Sequence, residues 1–308
     1  MACSGLCASS SRSEWEKLAN GTSKLRVSLF GLYDDFRDAP ILGSLIDPLR
    51  SPVAKLVQWE TLSGTMKMAM ERKRSHEEQE AGVVAQGLAK AAQLLAAKYH
   101  WVITNVPYLA RGKQTDKLKK FCERRYPAAK NDIATVFLER CLEFCKGGRG
   151  FQPLDDQRQD ATHSSRGFQP LENQRQDAAA TIGAGTISLV LPQNWLFLST
   201  YKKFREQLLR NNTWRMIARL GPGAFETISG EVVKAILLIL SRGNKVEEAS
   251  SLFTKRQDAA ATIRRIDVSV PRTAKEKAEL LVKAEIQDIS QERQLENPDA
   301  RIASGIDV

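Results

Sequence analysis

Long apolar runs are missing from this 308-residue sequence. The longest uninterrupted one lies at residues 235–240, whereas a helix needs about 20 apolar residues to span a bilayer. Residues 1–7 carry neither the basic stretch nor the apolar stretch of a secretory signal. We therefore expect a cytoplasmic protein with no membrane segment.

Cysteine and histidine are scarce, which argues against a disulfide scaffold and against a metal site. The five cysteines form an odd set without framework spacing, and the three histidines are scattered. This usage fits a reducing compartment. Cys141 and Cys145 lie four residues apart in a helical pattern and could share a face that binds a metal. Because no second pair accompanies them, we interpret them as small buried thiols.

The chain carries an excess of positive charge within an otherwise ordinary composition. Hydrophobic residues make up 42% and charged residues 27% of it, values typical of a globular protein with a core. The net charge of +10 points to a polyanion as a candidate partner. Many basic proteins bind no nucleic acid, so the charge alone does not identify one.

An internal repeat interrupts the chain. Residues 149–154 return at 166–171, an offset of 17, and residues 175–182 reappear unchanged at 256–263. Each copy carries few apolar residues among Gln, Arg and Asp, so stacked copies would have little surface to bury. We interpret the copies as inserted low-complexity loops between the elements of a fold, with the main insertion at residues 149–182.

The remaining sequence alternates between helix and strand patterns. These patterns predict, in order, a helix from residue 85, a strand at 101–104, a basic helix, a helix at 132–146, a strand at 186–191, a helix at 201–210, and strands at 216–220 and 232–240. Such alternation, followed by a direct return strand, indicates an α/β fold. We expect a mostly parallel sheet that ends in an antiparallel hairpin.

Three segments follow from this pattern. Residues 1–84 are expected to form an N-terminal segment that is partly irregular, and residues 85–255 a central α/β segment that contains the repeat insertion. Residues 256–308 are polar, and residues 274–292 alternate Lys and Glu with aliphatic residues at helical spacing. The C-terminal segment is therefore predicted to be helical and polar.

The first predicted strand runs directly into Asn105-Val106-Pro107-Tyr108, a motif suited to holding an amino group. In an open α/β sheet, ligands bind at the carboxyl ends of the strands. The Asn105 amide oxygen and the Val106 carbonyl supply two acceptors for one amine, and the Tyr108 ring can stack on a base swung out of a duplex. Pro107 closes the strand because it has no backbone N–H. An ordinary strand-end turn would look the same in isolation.

Asn105-Val106-Pro107-Tyr108 resembles the Asn-Pro-Pro-Tyr motif of adenine-N6 DNA methyltransferases. The resemblance extends to residues 130–141, which match the helix after that motif, and to residues 191–199 and 220–233, which match the later strands. The sequence is similar to the PglX-like methyltransferases of BREX phage-defence systems and to Eco57I-like restriction-modification enzymes.

The resemblance covers roughly residues 85–146 and 184–242, and it implies the substrate-side half of a Rossmann-like methyltransferase fold. It also implies that Asn105 and the Val106 carbonyl hold the amine of a flipped adenine, which stacks on Tyr108. The implied methyl donor is S-adenosylmethionine. Val106 replaces the first proline of the family motif, and because its contribution is a main-chain carbonyl, the chemistry survives the change.

A glycine-rich loop for the cofactor is not found after an N-terminal strand. Gly183-Ala184-Gly185 has suitable spacing, but it precedes a strand and adjoins the repeat. The family members are much longer, with cofactor motifs upstream and a target-recognition domain downstream. The resemblance therefore implies a truncated chain whose cofactor-binding residues are unknown.

Contacts to the substrate are predicted in two places. Residues 111–125 contain seven basic and two acidic residues directly after the motif, a composition that suits a DNA backbone and equally a solvated helix face. The candidates for phosphate contact are Lys113, Lys117, Lys119 and Lys120. Trp195 and Phe225 are candidates for lining the base pocket, although large aromatic residues near strand ends often belong to the core.

Two functional hypotheses follow, and a third remains open. The first is a site-specific adenine-N6 DNA methyltransferase of the phage-defence or restriction-modification type, in truncated form. The alternative is a catalytically inactive DNA-binding fragment, or one part of a split methyltransferase. The third is a purely structural α/β protein. The expected partners are double-stranded DNA and, for a split enzyme, an upstream methyltransferase half or other defence-system proteins.

Overall fold

The computed structural model describes residues 11–19, 23–52, 54, 76–146, 185–225, 233–243 and 261–302. The chain divides into two units, one made of Met1–Lys98 with Lys113–Arg125 and the other of Tyr99–Gly112 with Tyr126–Val308. The first unit thus extends past the expected boundary at residue 84 and includes a second stretch of chain. The repeat insertion at 149–182 lies outside the described residues.

The first unit is built from helices. They are α1 (Arg12–Leu18), α2 (Ser23–Phe36), the short α3 (Ala39–Leu42), α4 (His76–Ala96) and α5 (Asp116–Arg125). A capping box starts α1, because the Ser11 side chain accepts from the Glu14 N–H while the Glu14 carboxylate accepts from the Ser11 N–H. Fully buried residues form the core between α1, α2 and α4, namely Trp15, Leu29, Leu32, Phe36, Ala85, Leu88 and Ala92.

The second unit contains a six-stranded sheet within the described residues. Its strands are β1 (Trp101–Asn105), β2 (Thr186–Pro192), β3 (Asn212–Gly221), β4 (Ala235–Arg242), β5 (Thr262–Asp267) and β6 (Gln287–Ser290), in the order β1-β2-β4-β3-β5-β6. Pairing is parallel for β1–β2 and β3–β5, and antiparallel for β2–β4, β3–β4 and β5–β6. Four of the six strands therefore point the same way, and the predicted α/β class with a mostly parallel sheet is confirmed.

The predicted antiparallel hairpin is also present. It is formed by β3 and β4, and β4 lies between β2 and β3 in the sheet. Ile236, Leu238 and Leu240 of β4 are fully buried, as expected for a strand paired on both sides. The apolar run at residues 235–240 therefore forms the centre of the sheet core. None of the described helices is both long enough and apolar enough to cross a membrane.

Two helices pack against the sheet, one at β2 and the other at β3. They are α6 (Ile133–Phe144), which contacts β2, and α7 (Lys202–Asn211), which contacts β3. On β2, Ile187, Leu189 and Leu191 are buried and alternate with half-buried residues, which is the period of a strand with one core face. The predicted helices at 132–146 and 201–210 and the strand at 186–191 are thus observed within two residues of their expected ends.

The C-terminal segment differs from the predicted polar helical segment. A helix, α8, is present at Ala274–Lys283, but strands β5 and β6 flank it and extend the sheet. The tertiary pairing of β5 with β3 overrides the local pattern, because it buries Ile263 and Ile266. Ile263 is also the last residue of the third repeat copy, so the end of that copy belongs to the sheet rather than to a loop.

Arg205 in α7 links distant parts of the second unit from a fully buried position. Its guanidinium donates to the backbone carbonyls of Ala300 (3.1 Å), Asp299 (2.8 Å) and Leu198 (2.8 Å), and also to that of Trp195. The planar fork of an arginine can satisfy several carbonyls at once. Arg205 therefore ties the C-terminal turn to the loop after β2.

We expect Arg205→Ala to lower the free energy of unfolding by about 3 kcal/mol, because it leaves buried carbonyls without donors. Arg205→Lys should recover part of the loss, since an ammonium group offers fewer donors in a different geometry. Urea unfolding followed by circular dichroism measures both. As a control, Arg210→Ala changes an exposed residue of the same helix and should shift stability by less than about 0.5 kcal/mol. Equal effects at the two positions would contradict the assignment.

Candidate active site

Strand β1 presents Asn105 at its carboxyl end on an exposed face. Trp101 and Ile103 of the same strand are 61% and 70% exposed, and Asn105 follows them with the two-residue period of a strand. Asn105 pairs with Val190 of β2, so the ends of these two parallel strands lie side by side. The structure thus places the Asn105 side chain where a ligand outside the sheet edge can reach it.

The next two residues, Val106 and Pro107, differ in exposure. Val106 is only 4% exposed, and Pro107 is exposed. The Val106 side chain packs inside the protein, and its main chain directly follows the end of β1. Among the described residues, no backbone N–H donates to the Val106 carbonyl. The role of this carbonyl as an acceptor for a substrate amine stays a prediction.

Backbone hydrogen bonds fasten the loop after β1 to the start of α6. The Ile133 N–H donates to the Leu109 carbonyl at 3.1 Å, and the Arg111 N–H donates to the Asn131 carbonyl at 2.9 Å. Ala110 and Asp132 form an isolated antiparallel bridge at the same place. Asp132 is also the N-cap of α6, a role that sequence analysis did not assign to it although Asp is a common cap.

Tyr108 is half-buried, and its hydroxyl oxygen is fully buried without a hydrogen-bond partner among the described residues. Burial raises the pKa of Tyr108 to about 12, and the negative charge of Asp132 adds to the shift. The phenol is therefore neutral at physiological pH. A neutral ring with its hydroxyl turned inward leaves part of an aromatic surface exposed.

The neighbouring loop, after β2, supplies residues that sequence reasoning missed. Phe197 and Leu198 are 37% and 51% exposed, and Asn194 is exposed beside them. Gln193 is buried, and its side-chain oxygen accepts from the Arg219 guanidinium at 3.3 Å. In the sequence, the only signal around Phe197 is the resemblance of residues 191–199 to the family. Its exposure depends on tertiary packing, which the spacing of apolar residues does not reveal.

The two aromatic residues predicted to line a base pocket fare differently. Trp195 is 1% exposed and packs against Phe204 and Trp214, with ring centroids 5.5 Å and 6.0 Å away. It belongs to the core and has no surface left for a base, so that expectation is corrected. Phe225 is half-buried after β3, whose position in the sheet is three strand spacings, about 14 Å, from β1. Its role in base binding stays a prediction.

The basic segment belongs to the first unit, where part of its charge is already paired. Lys117 forms an ion pair with Asp38, and Lys119 lies 3.5 Å from Asp116. Arg125 pairs with Asp47 at 2.9 Å. Lys113 and Lys120 are exposed. Contact of these lysines with phosphate therefore stays a prediction, and some of their charge also serves the helical unit itself.

A cradle for the expected cofactor is not formed by the closely spaced glycines of the described residues. Gly221 and Gly223 have φ of +67° and +74°, and a Cβ on Gly223 would lie 2.0 Å from the Arg272 carbonyl oxygen. A Cβ on Gly185 would lie 2.8 Å from Cys145 Cβ. The protein's own chain fills the space that these glycines leave open. These three glycines thus form no cradle for S-adenosylmethionine.

The two cysteines of the helical pair are buried in and just after α6. The Cys145 thiol lies 3.6 Å from the Cys141 carbonyl oxygen, and burial raises the pKa of Cys141 to about 12. A thiol with this pKa stays protonated and is a poor metal ligand or nucleophile. Both residues therefore act as small packing groups, as interpreted from the sequence.

Helix α6 also carries a half-buried acid, Glu139. Burial raises the pKa of Glu139 to about 7, and the nearby charge of Glu143 adds to the shift. Glu143 itself accepts from Arg140 at 3.0 Å and from the Tyr126 hydroxyl at 3.1 Å.

Comparison with known proteins shows that the chain is similar to adenine-specific methyltransferases. The chain is 27% identical over 157 residues to the adenine-specific methyltransferase PglX of Lacticaseibacillus casei (strain Zhang), which is 50% of this chain and 10% of the relative. It is 26% identical over 209 residues to the adenine-specific methyltransferase BrxX of Escherichia coli O9:H4 (strain HS), which is 68% of this chain and 14% of the relative. The predicted resemblance to adenine-specific methyltransferases is thereby confirmed.

These relatives are far longer than the chain, which spans a tenth and about a seventh of their lengths. No family model matches. Among solved structures, a nuclease-deletion mutant of the Type ISP restriction-modification enzyme LlaGI, bound to a DNA substrate mimic, aligns with 82% of this chain and 23% of its own. The sequence identity is 10% and the TM-score is 0.41. That level of likeness supports no argument about the site.

The raised pKa of Glu139 predicts a pH-dependent stability. Because its pKa is higher in the folded protein than in the unfolded chain, its contribution is greatest at low pH and is lost as pH rises from about 4.5 through about 7. Glu139→Gln should remove this loss and stabilise the protein at pH 8 by on the order of 1–2 kcal/mol relative to wild type. Urea unfolding at pH 5 and pH 8 measures it, with the exposed Glu279→Gln as control. A wild-type stability that does not fall between these pH values, relative to Glu139→Gln, would contradict the assignment.

Proposed function

We propose that this chain is the base-holding part of a site-specific adenine-N6 DNA methyltransferase of the phage-defence or restriction-modification type. One observation supports the proposal above the others. Asn105 stands exposed at the carboxyl end of a parallel strand, beside a Val106 carbonyl that is open to a donor, within a sequence similar to adenine-specific methyltransferases. An amine with two hydrogens can donate one hydrogen bond to the Asn105 amide oxygen and one to the Val106 carbonyl.

The chemistry begins with the weak nucleophilicity of the target. The lone pair of an exocyclic adenine amine is delocalised into the ring, so the nitrogen must be drawn toward tetrahedral geometry before it can accept a methyl group. Hydrogen bonds from the two N–H groups to the Asn105 amide oxygen and to the Val106 carbonyl accomplish this and fix the amine in line with a donor. Tyr108 supplies an aromatic surface for the flipped base.

The methyl donor expected from the resemblance is S-adenosylmethionine. Its role is to supply an activated methyl group beside the held amine. The space beside Gly185, Gly221 and Gly223 is occupied by other parts of the protein, and we assign no residue of this chain to the cofactor. We propose that a further methyltransferase segment or a partner polypeptide binds it, which is the split form of the enzyme.

A DNA-binding fragment without catalytic activity is the second candidate. The filled space beside Gly185, Gly221 and Gly223, which leaves no cradle for a cofactor there, favours this alternative to a complete enzyme. Under either proposal the partner is double-stranded DNA and the site of action is the cytoplasm. Other defence-system proteins are expected partners of the intact assembly.

The first test measures cofactor binding and methyl transfer. The purified chain is titrated with S-adenosylmethionine by calorimetry, alone and with the portion of the Lacticaseibacillus PglX relative that precedes the matched region. N6-methyladenine formed in unmethylated plasmid DNA is then measured by mass spectrometry. Product in the combined sample supports a split enzyme. Absence of both binding and product in both samples would contradict methyl transfer by this chain.

In a sample that methylates DNA, Asn105→Ala should lower the rate by about 10²–10³-fold, because one of the two acceptors for the amine is removed. Asn211→Ala, an exposed position at the end of α7, is the matched control and should leave the rate unchanged. Mass spectrometry of digested DNA provides the rate. Retention of the wild-type rate in Asn105→Ala would remove this residue from the mechanism.

DNA binding by the basic segment is tested separately. Replacing Lys117, Lys119 and Lys120 with Gln should weaken affinity for duplex DNA and lower the slope of log affinity against log salt by about 0.9 for each phosphate that the variant no longer neutralises. Fluorescence anisotropy at several salt concentrations gives both quantities. The control replaces the same number of exposed lysines elsewhere, namely Lys203, Lys275 and Lys283. An unchanged slope in the first variant, or an equal change in the control, would refute a specific interaction with phosphate.

A further inference from the structure

Besides the backbone hydrogen bonds that join this loop to α6, a carboxylate oxygen holds the N–H of the residue after Tyr108. Oδ1 of Asp132 accepts from the N–H of Leu109 at 3.3 Å and from the N–H of Ala134 at 2.9 Å. Leu109 is the residue directly after Tyr108, and Ala134 lies in the first turn of α6. One side-chain atom therefore joins the candidate site loop to the helix behind it.

The backbone of Asp132 does not depend on that carboxylate. Its carbonyl accepts from the Thr135 hydroxyl at 2.8 Å and from the Val136 N–H at 3.2 Å. The same Thr135 hydroxyl lies 2.6 Å from the Ala129 carbonyl oxygen. Most residues of α6 are also buried, which holds the helix in place. Removing the carboxylate should therefore loosen the site loop more than the helix.

The charge of Asp132 acts on the same surroundings. It raises the pKa of Tyr108 and also that of Tyr201, after the larger effect of burial in each case. The carboxylate thus favours protonated hydroxyl groups beside the loop. The charge of Asp132 thus acts on Tyr108, the ring that the proposed function uses. Its hydrogen bond acts on the next residue, Leu109.

We propose that Asp132 is a positioning residue, which holds Leu109 and thereby sets the place of Tyr108 and of the Asn105–Tyr108 turn for an extruded base. This inference rests on the proposed function for its consequence in DNA, whereas the loop-holding role stands on the hydrogen bonds alone. Asp132 does not itself touch the base. It acts through the backbone next to the aromatic ring.

Hydrogen exchange followed by mass spectrometry on the full chain tests the loop-holding role. Asp132→Ala should accelerate exchange in the peptide covering residues 105–112 by at least about 10-fold, while Asp132→Asn, whose amide oxygen can accept the same bonds, should stay within about 3-fold of wild type. Thr273→Ala removes a side-chain cap of the same kind from α8 and should not affect that peptide. Wild-type exchange of residues 105–112 in Asp132→Ala would overturn the proposal.

Fluorescence of 2-aminopurine at the target position of duplex DNA tests the consequence for the base. Asp132→Ala should reduce the fluorescence gain of wild type by at least about 5-fold, Asp132→Asn should restore most of it, and DNA affinity should stay within about 2-fold. Equal gains in wild type and Asp132→Ala would overturn the positioning of Tyr108. If wild type itself gives no gain, base extrusion by this chain alone fails, and the exchange result still decides whether Asp132 holds the loop.

Discussion

The parallel pairing of β1 with β2 is the constraint on which the rest of the site depends. Its register sets Asn105 against Val190 and so brings two strand ends to one edge of the sheet. Everything proposed for the site, from the exposed amide to the loop carrying Phe197, begins at that edge. The central β4 stabilises the arrangement by burying aliphatic side chains between β2 and β3.

The elements around the motif could be predicted from the sequence because their signals are local. The strand before Asn105 is short and apolar, and α6 combines a helical apolar period with an Asp cap. Family likeness places the motif in a known chemical context, and the adenine-specific relatives match half to two thirds of the chain. Apolar periods describe single elements well, so β1 and α6 were expected correctly, whereas the Asp132 cap was not assigned from the sequence.

Other features could not be predicted, because they depend on partners far away in the sequence. The guanidinium of Arg205 meets carbonyls about ninety residues later, and the buried ammonium of Lys277 contacts carbonyls of the loop after β5. Strand β5 forms by pairing with β3. Trp195 is buried because it packs against two other aromatic rings. From composition alone, Arg205 and Lys277 would be expected on the charged surface, β5 in a helical segment and Trp195 in the wall of a pocket.

The exposed side chains of β1 have a practical meaning for the behaviour of the molecule. Trp101 and Ile103 stand on the outermost strand of the described sheet, which carries no charged residue between positions 101 and 105. Uncharged border strands with bulky aliphatic or indole groups are the places where protein chains adhere to one another. We therefore expect this five-residue strand to be a point of self-association in concentrated solution.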